Sequence, residues 1–482
     1  MGLDGGPQVT KALAHFVVST AFEDLPPNVV EQAKKLILDA VGGALLGSTT
    51  RIAKSYVEAF AQIGQSDECT IIGHPERGSA FTAALTNSAF LHQTELGEVA
   101  ERAVSMPTST VVPASLGVGE RERASGKDLL RAVALACEAL IRFGYSMASD
   151  PAAPNGDNPP SLWKGWFPPI LLSPVGSATA TSLLFGADET VLHHAWGLAV
   201  NLGPATVIKI LKDGLTGKGT FMGIGCANGI LAADLASQGI KGLDDIVDDW
   251  MSVIVPAYDR TRITAGLGQH YEMTSTLFKH FALVANLFPA LEATFALLQE
   301  HSFQADEVED LTVEGYRRIL ISDRPVPPST PEGVKGNLRW VLAVALVFRD
   351  RDLLLSEMSS KVLSDERVLR VAQRVRVVLN DGFQLEYPRT NKSIVRIHLK
   401  DGRLLEREID LRTMGKYYAP SRGDIASKFS KVSSGVCDAD TAGRITDLVW
   451  NLEELPDIRQ LTSLLAGAAG QHAQLHGSTT SK

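Results

Sequence analysis

Lys218 and Glu95 are the two side chains in this sequence best suited to do chemistry. Lys218 stands at the start of a predicted glycine-rich helix, GTFMGIGCANGILAADLASQG, where the helix dipole disfavours a positive charge. Its ammonium group could donate a hydrogen bond to a carbonyl conjugated to an alkene and stabilise negative charge developing there. Glu95 could orient that lysine or a substrate hydroxyl. Its neighbours Glu98 and Glu101 also allow Glu95 to be an ordinary solvated acid.

The sequence carries no signature of a metal, nucleotide or serine-nucleophile site. The cysteines stand far apart and form no CxxC pair, which indicates reduced, buried thiols; they are Cys69, Cys137, Cys226 and Cys437. The stretch GIGCANG lies within a predicted helix and does not follow a strand, so it is not a dinucleotide-binding loop. We therefore predict a protein that works without a cofactor.

Composition and charge exclude several classes of partner. Lys and Arg number 46 against 55 Asp and Glu, a formal charge of -9, so we expect no nucleic-acid partner. The apolar stretch at residues 340–348 is far shorter than the roughly 20 residues needed to cross a bilayer. The N-terminus has neither a basic nor an apolar leader segment. We expect a cytoplasmic protein with no membrane partner, and the 482 residues predict two or three domains.

The periodicity of apolar residues changes along the chain. Up to about residue 250 it is helical, and the small residues around Gly42 and from Gly223 to Gly229 indicate close approach of helix backbones. From about residue 270 helices at 288–300 and 338–348 mix with strand patterns, and Asp401-Gly402 predicts a hairpin.

These patterns predict a mainly α fold, in which a large all-helical domain carries a smaller inserted α+β domain. A helical pattern returns after residue 412, so the smaller domain is expected to be inserted into the larger one. The predicted helical domain comprises residues 1–268 and 412–465, the inserted domain residues 269–411, and a disordered tail residues 466–482.

Several segments, in order along most of the chain, resemble the MmgE/PrpD superfamily. They are LILDAVGGALLGS, NSAFLHQTELGE, VVPASLGVGERERASGKDLLRAVALACEALIRFG, GWFPPILLSPVGSATATSLLFGAD and GTFMGIGCANGILAADLASQGIKG. That superfamily includes 2-methylcitrate dehydratase, cis-aconitate decarboxylase and related lyases or epimerases of small polycarboxylic acids. The resemblance implies a homodimer with an all-helical domain, a smaller α+β lid domain and an active site in the cleft between them.

The chain departs from this family at positions where the family has catalytic residues. Lys218 is retained, and Glu95 replaces the first carboxylate of an acidic segment. Residues with no acid or base function stand at or near the places of three family histidines and a family tyrosine: Met106, Phe167, Phe288 and Ile321.

These replacements predict an apolar pocket, because burying a carboxylate without hydrogen-bonding partners is costly. Met106, Phe167 and Phe288 are expected to line it, and Lys218, Glu95, Trp166 or Trp163 to anchor the substrate. The expected function is a cofactor-free cyclase or pericyclase, of Diels-Alder type for example, or an isomerase. It would hold a large apolar substrate of terpenoid or polyketide secondary metabolism in a reactive fold, while Lys218 activates a carbonyl.

Two alternatives remain open. The first is a lyase or epimerase of the family type that acts on a small carboxylic acid, and acid-binding Arg or His residues around the cleft would favour it. The second is a pseudoenzyme that serves as a binding subunit, and a cleft closed by Phe167 and Phe288 would favour that.

Overall fold

The computed structural model describes residues 6–64, 66–147, 165–212, 214–255, 257–356 and 359–466. The tail predicted to be disordered lies outside these ranges except for its first residue, and Trp163 lies outside them as well.

Helices dominate the fold. They account for 62% of the described residues and strands for 9%, which confirms the predicted mainly α class with a smaller α+β domain. The longer helices are α1 (Gly6–Ser19), α2 (Pro27–Ser48), α3 (Ala53–Ala61), α4 (Ala80–Thr94), α5 (Thr108–Glu122), α6 (Gly126–Ser146), α7 (Ser173–Leu184), α8 (Glu189–Leu202), α9 (Gly217–Ser237), α10 (Phe288–Glu300), α11 (Leu338–Phe348), α12 (Arg422–Ser433) and α13 (Ala439–Trp450). The strands are β1 (Cys69–Thr70), β2 (Arg77–Gly78), β3 (Val308–Gly315), β4 (Val375–Leu379), β5 (Lys392–Leu399) and β6 (Leu404–Asp410).

The larger hydrophobic core joins both ends of the chain. Helices α1, α2, α5 and α6 supply much of it, and the late segment adds Ile425, Phe429, Ile445 and Leu461. Helix α12 packs directly against α2. The residues after the small sheet therefore return to the core built by the first half of the chain.

Helix α9 runs through the helical part in contact with α4, α7 and α8. By length and composition alone it is apolar enough to cross a membrane, but most of it is buried against these helices. Its glycines permit this packing: an added Cβ at Gly223 would collide with the carbonyl oxygen of Leu85, and one at Gly229 with that of Pro174. The predicted close approach of backbones is therefore confirmed for α9, whereas Gly42 on α2 meets the side chains of Phe429 and Val432.

The smaller core lies around the four-stranded sheet, in which the strands are ordered β4-β3-β5-β6. Strand β3 pairs parallel with β4 and antiparallel with β5, and Val313 lies between Val377 and Val395. Strands β5 and β6 form the predicted hairpin, whose Gly402 has a φ of 90°, a conformation that glycine adopts without strain. Helix α10 packs against β5 and β6, and α11 packs against α10 in the same core.

Candidate active site

A cleft of about 860 Å³, counting its open mouth, lies between the two cores. Its apolar lining comes from both sides: Val99, Val104, Met106, Phe167, Pro169 and Ile208 from the helical part, and Val284, Ala285 and Ile321 from the smaller domain. Its polar lining consists of Glu95, Glu101, Ser105, Asn286, Tyr316, Arg318, Ser322 and Arg324. The cleft thus joins a broad apolar wall to a limited set of charged groups.

The connection between α4 and α5, residues 95–107, supplies much of the helical side of the cleft; we call it the site loop. Its three acids are all buried, with Glu95 4%, Glu98 0% and Glu101 7% exposed. The backbone is unusual at two cleft-lining positions, since Glu95 has a φ of 62° and Val104 a φ of 46°. A β-branched residue in this region is strained, and such strain is common at functional sites.

Glu95 is held between two buried lysines. Lys218, in the first turn of α9, donates a hydrogen bond to Oε1, and Lys279 donates to Oε2 at 2.9 Å. Lys279 is brought there by a backbone bridge in which Leu277 N–H donates to Val99 O at 2.8 Å. The carboxylate that lines the cleft is therefore fixed by cations from both parts of the chain.

Burial and charge set the protonation of this group. Burial raises the pKa of Glu95, but the ammonium groups of Lys218 and Lys279 outweigh it and hold that pKa well below its usual value. Burial lowers the pKa of Lys218 to about 8, because Glu95 offsets the desolvation only in part and Lys279 adds a like charge. A single carboxylate cannot neutralise two ammonium groups, so Lys218 exchanges its proton closer to neutral pH than an exposed lysine does.

Two further titratable groups lie beside Glu95, Lys218 and Lys279 without lining the cleft. His92 is buried one turn before Glu95, and burial together with the Lys218 charge lowers its pKa well below the usual value, so its imidazole is neutral. Burial raises the pKa of Glu98 to about 8, although Oε1 accepts a hydrogen bond from Thr108 N–H at 2.9 Å. Glu98 is therefore largely a neutral carboxylic acid at neutral pH.

Glu101 connects the site loop to the smaller domain and to the segment that follows β6. Its carboxylate accepts hydrogen bonds from Asn391 Nδ2 at 2.7 Å, Arg412 Nη2 at 3.0 Å and Tyr418 Oη at 2.6 Å. This network fixes one wall of the cleft, so Glu101 is largely engaged by protein donors.

The structure brings together some of the predicted site residues. Lys218 and Glu95 are in contact, and Met106 and Phe167 line the cleft. Phe167 is held by a hydrogen bond from its N–H to Thr206 O at 2.8 Å. Lys218 itself lies behind Glu95 and faces a smaller pocket on the other side of that carboxylate.

The structure places two of the predicted site residues away from the cleft wall. Phe288 does not line the cleft, because it begins α10 and its ring packs in the smaller core against Phe281 and Tyr417, at centroid distances of 5.3 and 5.7 Å. Trp166 packs against the larger core and pairs with Val207 in a β-bridge, and it is not among the lining residues.

Sequence reasoning missed four groups at the site: Lys279, Tyr316, Arg318 and Arg324. The arginines lie in and just after a 3-10 helix, Arg317–Ser322, which has too few residues to show a period. Lys279 follows Phe278 in an irregular segment and gives no local signal of burial. Within the described residues no group of three or more His, Cys, Asp or Glu side chains could hold a metal ion.

The chain is similar, nearly end to end, to proteins named for cis-aconitate decarboxylation. The cis-aconitate decarboxylase-like protein oryM of Aspergillus oryzae is 25% identical over 487 residues, which cover 95% of this chain and 97% of that protein. The cis-aconitate decarboxylase of Aspergillus terreus is 25% identical over 483 residues, which cover 95% and 96%. That of Mus musculus is 23% identical over 487 residues, which cover 96% and 94%. The chain is therefore similar to enzymes along its whole length.

Family patterns match both parts of the chain. The MmgE/PrpD N-terminal domain matches residues 11–257 and the MmgE/PrpD C-terminal domain residues 281–454. These matches cover the helical part with the site loop and Lys218, and the smaller domain with the sheet and the two cleft arginines. The chain belongs to the MmgE/PrpD family.

Proposed function

We propose that the cleft is the active site of a lyase or isomerase that moves a proton at a carbon next to a carbonyl or carboxyl group, on a substrate with a large apolar part. The observation that carries this proposal is the contact of Lys218 with Glu95 at the wall of a mainly apolar cleft. The similarity to decarboxylases supports the class of reaction, and the apolar lining supports a different substrate shape.

Glu95 and Lys218 would act as one proton-exchanging unit. Glu95 faces the substrate and relays the proton that the carbon loses to Lys218. The neutral amine of Lys218 is the base that keeps this proton and becomes ammonium, because the pKa of Glu95 is held too low for the carboxylate to keep it. In the reverse direction the ammonium returns a proton through Glu95 to the carbanion that remains when a carboxyl group leaves as carbon dioxide. A lysine whose pKa is about 8 suits both directions, because both of its forms are present near neutral pH.

The open cleft supports an enzyme over a pseudoenzyme that serves as a binding subunit. A binding subunit was expected to have its cleft closed by Phe167 and Phe288, whereas Phe167 lies in the wall and Phe288 lies in the smaller core. Arg318 and Arg324 provide cations of the kind expected for a site that acts on an acid.

The test is hydrogen exchange at carbon, which needs no knowledge of the product. The protein is incubated in heavy water with cis-aconitate, 2-methylcitrate and a series of unsaturated carboxylic acids and aldehydes with long apolar chains, and deuterium uptake is followed by mass spectrometry. We expect uptake or carbon dioxide loss with an apolar acid or aldehyde. Lys218→Met should abolish it, and Lys209→Met, at an exposed lysine, should not. Uptake that survives Lys218→Met would contradict the proposal.

A shape-driven cyclase is the second candidate, and the replacement of expected imidazoles by Met106 and Phe167 at the cleft favours it. Such an enzyme holds a flexible chain in a reactive geometry and lowers the entropic part of the barrier. The same screen separates the two candidates. A cyclase converts a polyene substrate into a product of unchanged mass with no deuterium taken from the solvent.

A further inference from the structure

A second, smaller pocket lies behind Glu95, on the side away from the cleft, and we call it the rear pocket. It encloses about 270 Å³, counting its open mouth. Its polar lining and its outer edge consist of Gln93, Glu95, Leu215, Lys218, Glu332 and Lys335. Among the described residues only Glu95 lines both pockets, whereas Lys218 lines the rear pocket alone. The Glu95 carboxylate therefore separates the amine of Lys218 from the substrate cleft.

Glu332 brings a buried carboxylate from the smaller domain to the rear pocket. Its side chain is only 8% exposed. Oε1 accepts a hydrogen bond from Arg51 Nη2 at 2.7 Å, whereas Oε2 is buried and accepts no hydrogen bond from any described residue. A buried carboxylate oxygen without a partner is costly. Water is the partner that a pocket lined by charged side chains can supply, so the geometry favours water beside Oε2.

The segment that carries Glu332 is fixed against the loop that precedes α9. Thr330 Oγ1 accepts a hydrogen bond from Gly333 N–H at 3.0 Å and donates one to Gly214 O at 2.9 Å. The two backbones approach closely, because an added Cβ at Gly214 would come within 2.4 Å of the N and Cα atoms of Gly333. Glu332 is therefore placed by backbone contacts and not by its ion pair with Arg51 alone.

The rear pocket reaches the surface of the protein. Leu215 lines it and is 49% exposed, and the Arg51 side chain that pairs with Glu332 is 56% exposed. On the inner side, Lys335 Nζ donates a hydrogen bond to Gln93 O in the last turn of α4. A water molecule takes about 30 Å³ of liquid volume, so the rear pocket has room for a few of them between the surface and Lys218.

A decarboxylation at the cleft needs one proton from solvent in each turnover. When a carboxyl group leaves as carbon dioxide, the remaining carbanion takes a proton from the Lys218 ammonium through Glu95, and the amine must then regain a proton. The apolar part of a bound substrate and the apolar wall of the cleft exclude water from the front of Glu95. The rear pocket gives access to Lys218 from the other side.

We propose that Glu332 carries protons between bulk solvent and Lys218 through water held in the rear pocket. This rests on the proposed function, because only a lysine that gives up and regains its proton in each turnover needs such a route. Glu332 takes a proton at the surface side, where it meets Arg51, and passes it through water to the amine of Lys218. It does not line the cleft, so its effect on the reaction acts through Lys218.

The first test follows proton exchange at Lys218 directly and needs no substrate. In full-length protein labelled with ¹⁵N-lysine, NMR measures the rate at which the Nζ protons exchange with water, and Lys218→Met assigns the signal. We expect Glu332→Gln to slow this exchange about tenfold or more, because an amide does not take up and release a proton as a carboxylate does. Unchanged exchange in Glu332→Gln would overturn the proposal.

Two matched variants separate proton transfer from a structural role. Arg51→Gln breaks the same ion pair from the opposite side and keeps the carboxylate, so exchange at Lys218 should stay near the wild-type rate. Glu332→Asp also keeps a carboxylate and should retain most of the exchange. Equal slowing by Arg51→Gln and Glu332→Gln would show that the ion pair only shapes the pocket and would reject the route.

The second test uses the deuterium screen of the proposed function. On each acid or aldehyde that the wild type labels, Glu332→Gln should lower kcat for deuterium uptake about tenfold and leave KM unchanged, because Glu332 does not line the cleft. A raised KM with unchanged kcat would contradict the proposal.

The two proposals fail separately. Exchange at Lys218 that depends on Glu332, with no deuterium uptake on any compound of the screen, would leave the proton route standing and reject the proton-transfer function. Deuterium uptake that depends on Lys218 but not on Glu332 would do the reverse.

Discussion

At the scale of single residues, Glu95 is the carboxylate on which two buried lysines depend. Glu95→Gln removes the only carboxylate that either Lys218 or Lys279 is seen to contact in the described residues. An uncompensated buried charge costs about 3–5 kcal/mol, so we expect the free energy of unfolding to fall by that amount. The measurement is denaturant unfolding at neutral pH.

The pH dependence of this loss has a definite sign. The folded state holds the pKa of Glu95 well below 4.5, so the stabilisation is complete above about pH 4.5 and is lost as the pH falls through the folded pKa. The difference between wild type and Glu95→Gln should therefore narrow below pH 4.5. As a control, the triple variant Glu95→Gln, Lys218→Met, Lys279→Met removes the whole charge set and should recover most of the stability. A triple variant less stable than Glu95→Gln would contradict this account.

Glu98 gives the opposite pH dependence. Its pKa is raised from 4.5 to about 8, so the folded state keeps a proton that the unfolded state loses, and stability falls as the pH rises between these values. Glu98→Gln imitates the protonated acid, and by pH 8 it should be more stable than wild type by on the order of 4 kcal/mol. Unfolding at a series of pH values tests this, with exposed Glu309→Gln as the control. A stability difference that does not change between pH 5 and 8 would be inconsistent with a buried neutral acid.

The sequence could identify the site residues only in part. Lys218 and Glu95 were predicted from residue type and resemblance, and their contact is consistent with the suggested orienting role of Glu95. The run of acids looked like a solvated loop because a local pattern shows charge density and not burial. Lys279 is 184 positions from Glu95 and shares no element with it, so only the folded chain reveals the pair.

At the scale of elements, the glycines of α9 decide how closely helices pack. Gly223→Ala would gain about 1 kcal/mol of helix propensity, yet its Cβ would collide with the backbone oxygen of Leu85, which cannot rotate away. We expect a net loss of about 1–3 kcal/mol in the free energy of unfolding. Gly443→Ala in α13 is the matched control, because no atom lies within 4 Å of its added Cβ, and it should be neutral or stabilising. Equal effects of the two substitutions would show that packing at α9 is not limiting.

Long periodic elements were predictable and short irregular ones were not. Helices α10 and α11 and the hairpin of β5 and β6 lie where periodicity and the Asp401-Gly402 turn predict them. The resemblance predicts Phe288 at the cleft, at the place of a family histidine, whereas the side chain lies in the smaller core. Neither resemblance nor periodicity tells which neighbour a helix face meets. The 3-10 helix that carries Arg318 has no period to detect, so the cationic side of the cleft was not foreseen.

At the scale of the whole molecule, the cleft exists because the chain closes on itself. Residues that follow the sheet pack against helices from the first half of the chain, and together they form the larger core. The cleft opens between this larger core and the core of the smaller domain. Fold class follows from composition and period, whereas the distance between two cores follows from side chains far apart in sequence. The cleft therefore depends on contacts between residues far apart in sequence, which local sequence patterns do not show.

Lys428 is the clearest link in that closure. From α12 its Nζ donates to Asp39 Oδ1 on α2 at 2.5 Å and to Leu96 O in the site loop at 3.3 Å, and both ionic side chains are buried. Lys428→Met leaves Asp39 buried without its partner, so we expect a loss of about 3–5 kcal/mol in the free energy of unfolding. The double variant Asp39→Asn, Lys428→Met removes both charges and should recover most of that loss, because the two substitutions are coupled through one contact. Denaturant unfolding of the wild type, the two single variants and the double variant completes a double-mutant cycle. Losses that simply add would mean that the late segment is held by its apolar residues alone, and that Lys428 does not hold the late segment to α2 and the site loop.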